Sequence, residues 1–142
     1  IRSGKAGLPL VLRFTILNAK TCSVIKNADV EIWHCDALGN YSAVNGATSR
    51  FLRGHQKSNA SGKAEFLTIF PGWYRGRTPH IHVKVKLGRH ELLTTQLYVE
   101  GDPHNERDFL WRRLGADRGL VTVPFTRGAE GLQAEFPIVV TA

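Results

Sequence analysis

Apolar and polar residues alternate with a period of two along several short stretches of this chain. The clearest stretch is His80–Leu87, in which isoleucine, valine and leucine occupy every second position. Side chains two residues apart in a strand point to the same face, so the pattern predicts a β-strand with one buried face. Similar runs of β-forming residues predict further strands at 10–17, 29–34, 64–70, 92–99, 121–125 and 132–140.

Turn-forming residues separate these runs, at 18–21, 38–40, 59–62 and 88–89. One short helix is predicted over 103–114, with Asp102 as its N-cap, Pro103 at the first helical position and Gly115 at its end. Many short strands at regular spacing predict an all-β fold, an antiparallel β-sandwich, for a single domain over 1–142.

Composition narrows the function classes only slightly. The 142 residues are 42% hydrophobic and 22% charged, as in an ordinary globular domain. No apolar run approaches the ~20 residues that cross a bilayer. The net charge is +7, but the basic residues are scattered, which favours a solvated basic surface over a nucleic-acid site. An anionic aromatic acid as substrate would also suit this charge. The chain begins with Ile rather than Met, which predicts that N-terminal sequence is missing.

The pair His80 and His82 is the strongest candidate for chemistry. Residues two apart on a strand lie roughly 6.5–7 Å apart with parallel side chains. Two such imidazoles can converge on one metal ion at about 2.0–2.1 Å each. The motif is short and common, however, and taken alone it is better explained by two exposed histidines on the polar face of the strand.

Tyr74 and Arg77 lie just before this pair, on a segment that begins with Pro71 and Gly72. A phenol with a pKa of about 10 needs a strongly Lewis-acidic ion to bind as a ligand, and ferric iron is such an ion. Zinc sites normally use Cys, His and carboxylate instead. Arg77 could hold a developing negative charge or an anion. Ordinary surface roles remain the alternatives for both residues.

The chain contains two other tyrosines, Tyr41 and Tyr98. Tyr41 follows a Gly-Asn turn after the strand predicted at 29–34, so it also lies on a loop. Tyr98 lies inside a predicted strand, where a structural role is expected.

Taken together, these residues resemble the intradiol ring-cleaving dioxygenases, which include the catechol, hydroxyquinol and protocatechuate enzymes. Three segments carry the resemblance: 30–33 followed by 39–41, 71–74 followed by Arg77 and 80–82, and 95–98 followed by 100–103. The similarity runs from about residue 9 to residue 108 and is greatest to the short, secreted branch of the family. The helical N-terminal dimerisation region of the catechol enzymes is absent from this sequence.

The resemblance implies an Fe(III) cofactor held by Tyr41, Tyr74, His80 and His82. It implies a catechol-type substrate that is cleaved with O2 between its two hydroxyl-bearing carbons, giving a cis,cis-muconate-type product. Tyr74 would also be catalytic, Arg77 would stabilise charge on the ring, and Gln96 would orient it.

The resemblance leaves three further expectations. Trp33 and Trp73 are candidate walls of the substrate pocket, with core packing as the alternative. A disulfide between Cys22 and Cys35 is expected, with two buried thiols as the alternative. Secretion is expected with it, and a cytoplasmic protein is the alternative.

Other functions remain open at this point. A non-catalytic β-sandwich module, carbohydrate-binding or transthyretin-like, has the same architecture, and a fold does not determine function. A zinc hydrolase built on the two histidines lacks an evident third ligand. A nucleic-acid binder is the most distant alternative, and neither a nucleic-acid nor a membrane partner is expected. The identity of the catechol and the oligomeric state are not predicted.

Overall fold

The structure is a computed structural model that describes residues 6–39, 52–73, 76–129 and 131–142. Within these residues the chain forms nine strands in two sheets, which pack face to face around one apolar core. The strands are β1 (Pro9–Asn18), β2 (Asp29–Trp33), β3 (Arg53–Lys57), β4 (Lys63–Ile69), β5 (His80–Leu87), β6 (His90–Val99), β7 (Thr122–Val123), β8 (Thr126–Gly128) and β9 (Gly131–Val140). The predicted all-β sandwich is confirmed.

Contrary to the sequence prediction, the sheets are not purely antiparallel. The sheets have the orders β4-β1-β9-β8 and β3-β2-β5-β6-β7. Strand β1 runs parallel to β9, and β6 runs parallel to β7, so both sheets are mixed. These pairs join strands that are not connected by a hairpin, and the local alternation of residues carries no information about such pairing.

Two strands were not predicted. Strand β3 (Arg53–Lys57) lies at the edge of its sheet and is mostly exposed, so it has no alternating apolar positions that would reveal it. Strand β8 (Thr126–Gly128) is short and fully exposed.

The helix predicted over 103–114 is broken. A 3₁₀ turn at Asn105–Arg107 comes before α1 (Phe109–Arg113), and a second 3₁₀ stretch follows at Gly115–Leu120. The cap of α1 is Asp108 rather than Asp102, because its carboxylate accepts the N–H groups of Leu110 and Trp111. In the described parts of the chain, no helix has the length and apolar character needed to cross a bilayer.

The alternation along β5 places the chemistry outside the core. Ile81, Val83 and Val85 are buried between the two sheets. His80 and His82 therefore point to the opposite, outer face of the five-stranded sheet. The core residues determine which side chains face the site because a shift of one residue would exchange the two faces.

His34 connects the two sheets just beyond the end of β2. Its Nδ1 donates to the carbonyl of Cys35 at 2.7 Å, and its Nε2 lies 2.8 Å from the hydroxyl of Thr68 on β4. A carbonyl only accepts, so Nε2 is the nitrogen that accepts from Thr68. Burial lowers the pKa of His34 to about 4, so the ring is neutral near physiological pH.

The predicted disulfide is wrong. Cys22 and Cys35 are free thiols. Cys22 is exposed, whereas Cys35 is buried and donates its Sγ–H to the carbonyl of Gly72 at 3.3 Å. Burial raises the pKa of Cys35 to about 11, so it stays protonated. The alternative prediction was two buried thiols, and only the thiol of Cys35 is buried.

The buried His34 predicts a loss of stability in mildly acidic solution. Its pKa is about 4 in the folded protein and 6.5 ordinarily, so the unfolded chain binds more protons between these values. The free energy of unfolding should therefore fall as the pH drops from about 6.5 toward 4, by on the order of 3 kcal/mol from this residue. Urea denaturation near neutral pH and at about pH 4.5 should show a shallower pH dependence for His34→Gln than for wild type. If the free energy of unfolding depends on pH equally in both proteins, the buried, neutral state assigned to His34 is contradicted.

Candidate metal centre

The two rings of the histidine pair lie close together on the outer face of the five-stranded sheet. The ring centroids of His80 and His82 are 4.9 Å apart, and the ring planes cross at 73°. The Nδ1 of His80 donates to the carbonyl of Thr78 at 2.7 Å. Nδ1 therefore carries the ring proton and Nε2 carries the lone pair, which is how a backbone carbonyl commonly orients a metal-binding imidazole.

Both imidazoles are held in the neutral form. Burial lowers the pKa of His80 to about 4. Burial, then the neighbouring His80 and the cations Arg77 and Arg53, lower the pKa of His82 to about 3. Metals bind the neutral ring, so these two residues need no deprotonation near physiological pH. Because His80 is 1% exposed and His82 is half-buried, the alternative of two exposed surface histidines is wrong.

Arg77 lies beside this pair and is held from two sides. Its Nε donates to Oδ2 of Asp108 at 2.8 Å, and its Nη2 donates to Oε1 of Gln96. Gln96 lies directly opposite His82 in the β5–β6 pairing. The Arg77 side chain is 13% exposed, so it is not an ordinary solvated charge. The predicted grouping of Arg77 and Gln96 beside the histidines is therefore present in the structure.

Asp108 organises this part of the site, and the sequence analysis did not identify it. Its side chain is fully buried, and Oδ2 also accepts the backbone N–H of Thr78 at 2.9 Å. Burial alone would raise the pKa of Asp108, but hydrogen bonds from Arg77, Thr78 and Trp111 outweigh it and hold the pKa below its ordinary value. An aspartate directly before Phe109 and Leu110 is an N-cap signal, and that signal could have located it.

The two candidate pocket walls differ in their surroundings. Trp33 is half-buried and lies parallel to His82, with ring centroids 4.9 Å apart and planes within 4°. Trp73 is 56% exposed and stacks on His104 at 4.7 Å. Neither indole belongs to the apolar core, so the core-packing alternative fails for both.

Tyr98 lies beside the site, although the sequence analysis expected only a structural role for it. Its ring is buried with its centroid 6.3 Å from that of His80, and its hydroxyl donates to Oε1 of Gln96 at 3.2 Å. Gln96 thus accepts from Arg77 and Tyr98 together.

The segments that lead to the two loop tyrosines are joined at Gly72. Its N–H donates to the carbonyl of Asp36 at 2.9 Å, and its carbonyl accepts from the Cys35 thiol. A Cβ at Gly72 would lie 2.4 Å from the carbonyl oxygen of Ala37, so only glycine permits this approach. Tyr41 and Tyr74 themselves lie outside the described residues, and their role as ligands stays a prediction.

The described residues offer a metal ion two imidazole nitrogens, and the remaining ligands would have to come from other residues. Within the described residues, no group of three or more His, Cys, Asp and Glu side chains could hold a metal ion. Two neutral imidazoles with phenolate oxygens as partners would suit Fe(III).

Comparison with known proteins identifies relatives over the whole described domain. A dioxygenase family model matches residues 3–140. Catechol 1,2-dioxygenase 1 of Acinetobacter lwoffii is 34% identical to this chain, and the match covers 72% of this chain and 40% of that protein. This chain thus spans well under two thirds of the length of that relative.

Solved structures show the same fold. The dioxygenase domain of a dioxygenase and carbohydrate-binding protein fusion from the cellulolytic bacterium Streptomyces sp. SirexAA-E is 30% identical, with a TM-score of 0.81, over 100% of this chain and 85% of that one. An intradiol ring-cleavage dioxygenase from Tetranychus urticae has a TM-score of 0.88 at 24% identity, over 99% and 84% of the two chains. The second likeness concerns the fold alone.

The close approach at Gly72 predicts that Gly72→Ala destabilises the protein. The added methyl group would force Gly72 and Ala37 apart and weaken the hydrogen bonds that join the two segments. We expect the free energy of unfolding to fall by about 1–3 kcal/mol, measured by urea denaturation. Gly119→Ala is the matched control, because no heavy atom lies within 4 Å of its added Cβ. The same loss in both variants would contradict the interpretation.

The buried Arg77–Asp108 pair predicts a larger effect for Asp108→Ala. Removal of the carboxylate breaks the buried ion pair with Arg77 and removes the cap of α1. The free energy of unfolding should fall by on the order of 3–5 kcal/mol in chemical denaturation. Asp102→Ala removes a carboxylate that binds the N–H and the ring of nearby His104, and should cost about 1 kcal/mol. A similar loss in the two variants would count against the role assigned to Asp108.

Proposed function

The chain belongs to the intradiol ring-cleavage dioxygenase family, and on this premise we propose that it cleaves a catechol-type ring with O2. The bond between the two hydroxyl-bearing carbons breaks, and both atoms of O2 enter a cis,cis-muconate-type dicarboxylic acid. Catechol and O2 together contain all the atoms of that product, so no external reductant is consumed. The observation that carries the proposal is the neutral pair His80 and His82 beside the hydrogen-bonded Arg77 and Gln96.

His80 and His82 would hold Fe(III), together with Tyr41 and Tyr74. When bound, Fe(III) would supply the Lewis acidity that makes a catecholate susceptible to attack by O2. The backbone carbonyl of Thr78 keeps Nε2 of His80 available for this ion, because it fixes the ring proton on Nδ1. Tyr74 would accept a proton from a substrate hydroxyl at its phenolate oxygen.

Arg77 and Gln96 would act on the ring of the substrate. The guanidinium of Arg77 is already held by Asp108, so it can stabilise negative charge on the ring without reorganising. Gln96 accepts from Arg77 and from Tyr98, and these two bonds fix its side chain in one orientation. A preoriented amide can then position the ring for reaction. Trp33 and Trp73 border this region in the proposal, and secretion stays a prediction that the free thiols do not support.

The proposal predicts a burgundy protein with stoichiometric iron, because two tyrosinates would give charge-transfer absorption with Fe(III). Tyr41→Phe and His82→Ala should lose iron or the visible band, and with it ring cleavage. Tyr98→Phe should keep the band, because the Tyr98 hydroxyl binds Gln96 in the structure. Metal analysis and visible spectroscopy check these outcomes. A colourless wild-type protein with full zinc occupancy would contradict the proposal.

Oxygen uptake across a panel of catechol, hydroxyquinol, protocatechuate and lignin-derived catechols would identify the substrate. Uptake should be accompanied by the absorbance of a ring-opened diacid. A wild-type protein without iron and without uptake would instead favour a non-catalytic β-sandwich module.

A further inference from the structure

Four side chains stand in one row across the outer face of the five-stranded sheet. Arg53 on β3 lies opposite Trp33 on β2, Trp33 lies opposite His82 on β5, and His82 lies opposite Gln96 on β6. Residues directly opposite each other on neighbouring strands have side chains on the same face, with Cβ atoms about 4.5–5.5 Å apart. The register of the sheet therefore places the indole of Trp33 against one proposed iron ligand.

The contact between Trp33 and His82 is a parallel stack. The planes differ by 4°, and the centroids are 4.9 Å apart. The face of the indole that covers His82 is not available to a bound aromatic ring. This geometry argues against Trp33 acting only as a wall for the substrate.

Trp33 is itself held in place by cations. The guanidinium carbon of Arg53 and the ammonium of Lys84 each lie 5.8 Å from the centroid of an indole ring. A cation within about 6 Å of the ring centroid is attracted to the face of an indole. Lys84 is positioned in turn by Glu91, whose carboxylate lies 3.5 Å from its ammonium. The indole is thus fixed on the strand pair that carries His82.

We propose that Trp33 is a positioning residue that sets the ring plane of His82 for iron binding. This inference rests on the proposed function and extends it to a residue that acts on the iron through His82. For His80, the hydrogen bond to Thr78 sets the ring orientation. For His82, the parallel indole restricts rotation of the imidazole about its Cβ–Cγ bond. A lone pair that deviates by more than about 10–20° from the metal direction weakens the bond, so this restriction strengthens iron binding.

The test compares Trp33→Leu, which removes the flat surface, with Trp33→Phe, which keeps it. Competition with an iron chelator should show that Trp33→Leu binds Fe(III) about tenfold or more weakly than wild type, a typical loss for a residue that orients a ligand. Its ferric electron paramagnetic resonance signal should broaden, because His82 would bind in several orientations. Trp33→Phe should remain near wild type in both measurements.

Trp111→Leu is the matched control, because this indole contacts Arg118 and Thr122 away from the histidines. It should keep the wild-type affinity for iron and the wild-type signal. Trp33→Met, another flexible apolar replacement, serves in place of Trp33→Leu if the latter does not fold.

Three outcomes are separable. If the leucine or methionine variant keeps wild-type affinity and an unbroadened signal, the inference is overturned. If Trp33→Phe loses as much affinity as Trp33→Leu, bulk rather than the stacked plane is responsible, and the inference is again overturned. If wild type itself binds no Fe(III), the proposed function fails, and the failure does not arise from Trp33.

Discussion

The buried carboxylate of Asp108 is the constraint on which the rest of the site depends. A charge without solvent must be paired and fully hydrogen-bonded, and Asp108 meets this requirement with Arg77, with the N–H of Thr78 and with the first turn of α1. Thr78 in turn offers its carbonyl to His80 and its hydroxyl to Asn105. One acidic side chain thus links the orientation of a proposed metal ligand to the orientation of the cation beside it.

A second constraint comes from the sandwich itself. The inner face of β5 is fully used by Ile81, Val83 and Val85, so His80 and His82 must face outward. An outer face is normally wet, yet His80 is buried and both rings are neutral. The site is therefore a partly buried region on the outer side of the sheet, where electrostatic interactions are stronger than in bulk water.

Cys35 contributes to the contact between the segments that lead to Tyr41 and Tyr74. The sequence predicted a disulfide between Cys22 and Cys35, which is absent. In the structure the Cys35 thiol instead donates to Gly72, and the N–H of Gly72 donates to Asp36. Two hydrogen bonds and a glycine without a Cβ thereby hold together the segments that lead to Tyr41 and Tyr74.

Local sequence determined the sandwich class, most strands and the grouping of His80, His82 and Arg77, because alternation of period two and short motif spacing are properties of neighbouring residues. It did not determine the parallel pairing of β1 with β9, because the alternation within a strand does not reveal which strand lies beside it. It did not reveal the edge strand β3, because that strand is mostly exposed and has no alternating apolar residues. It also missed Asp108, whose partner Arg77 is 31 positions away, and the stack of Trp33 on His82. Those contacts arise only when the register of paired strands and the packing of loops bring distant residues together, and no local pattern encodes that register.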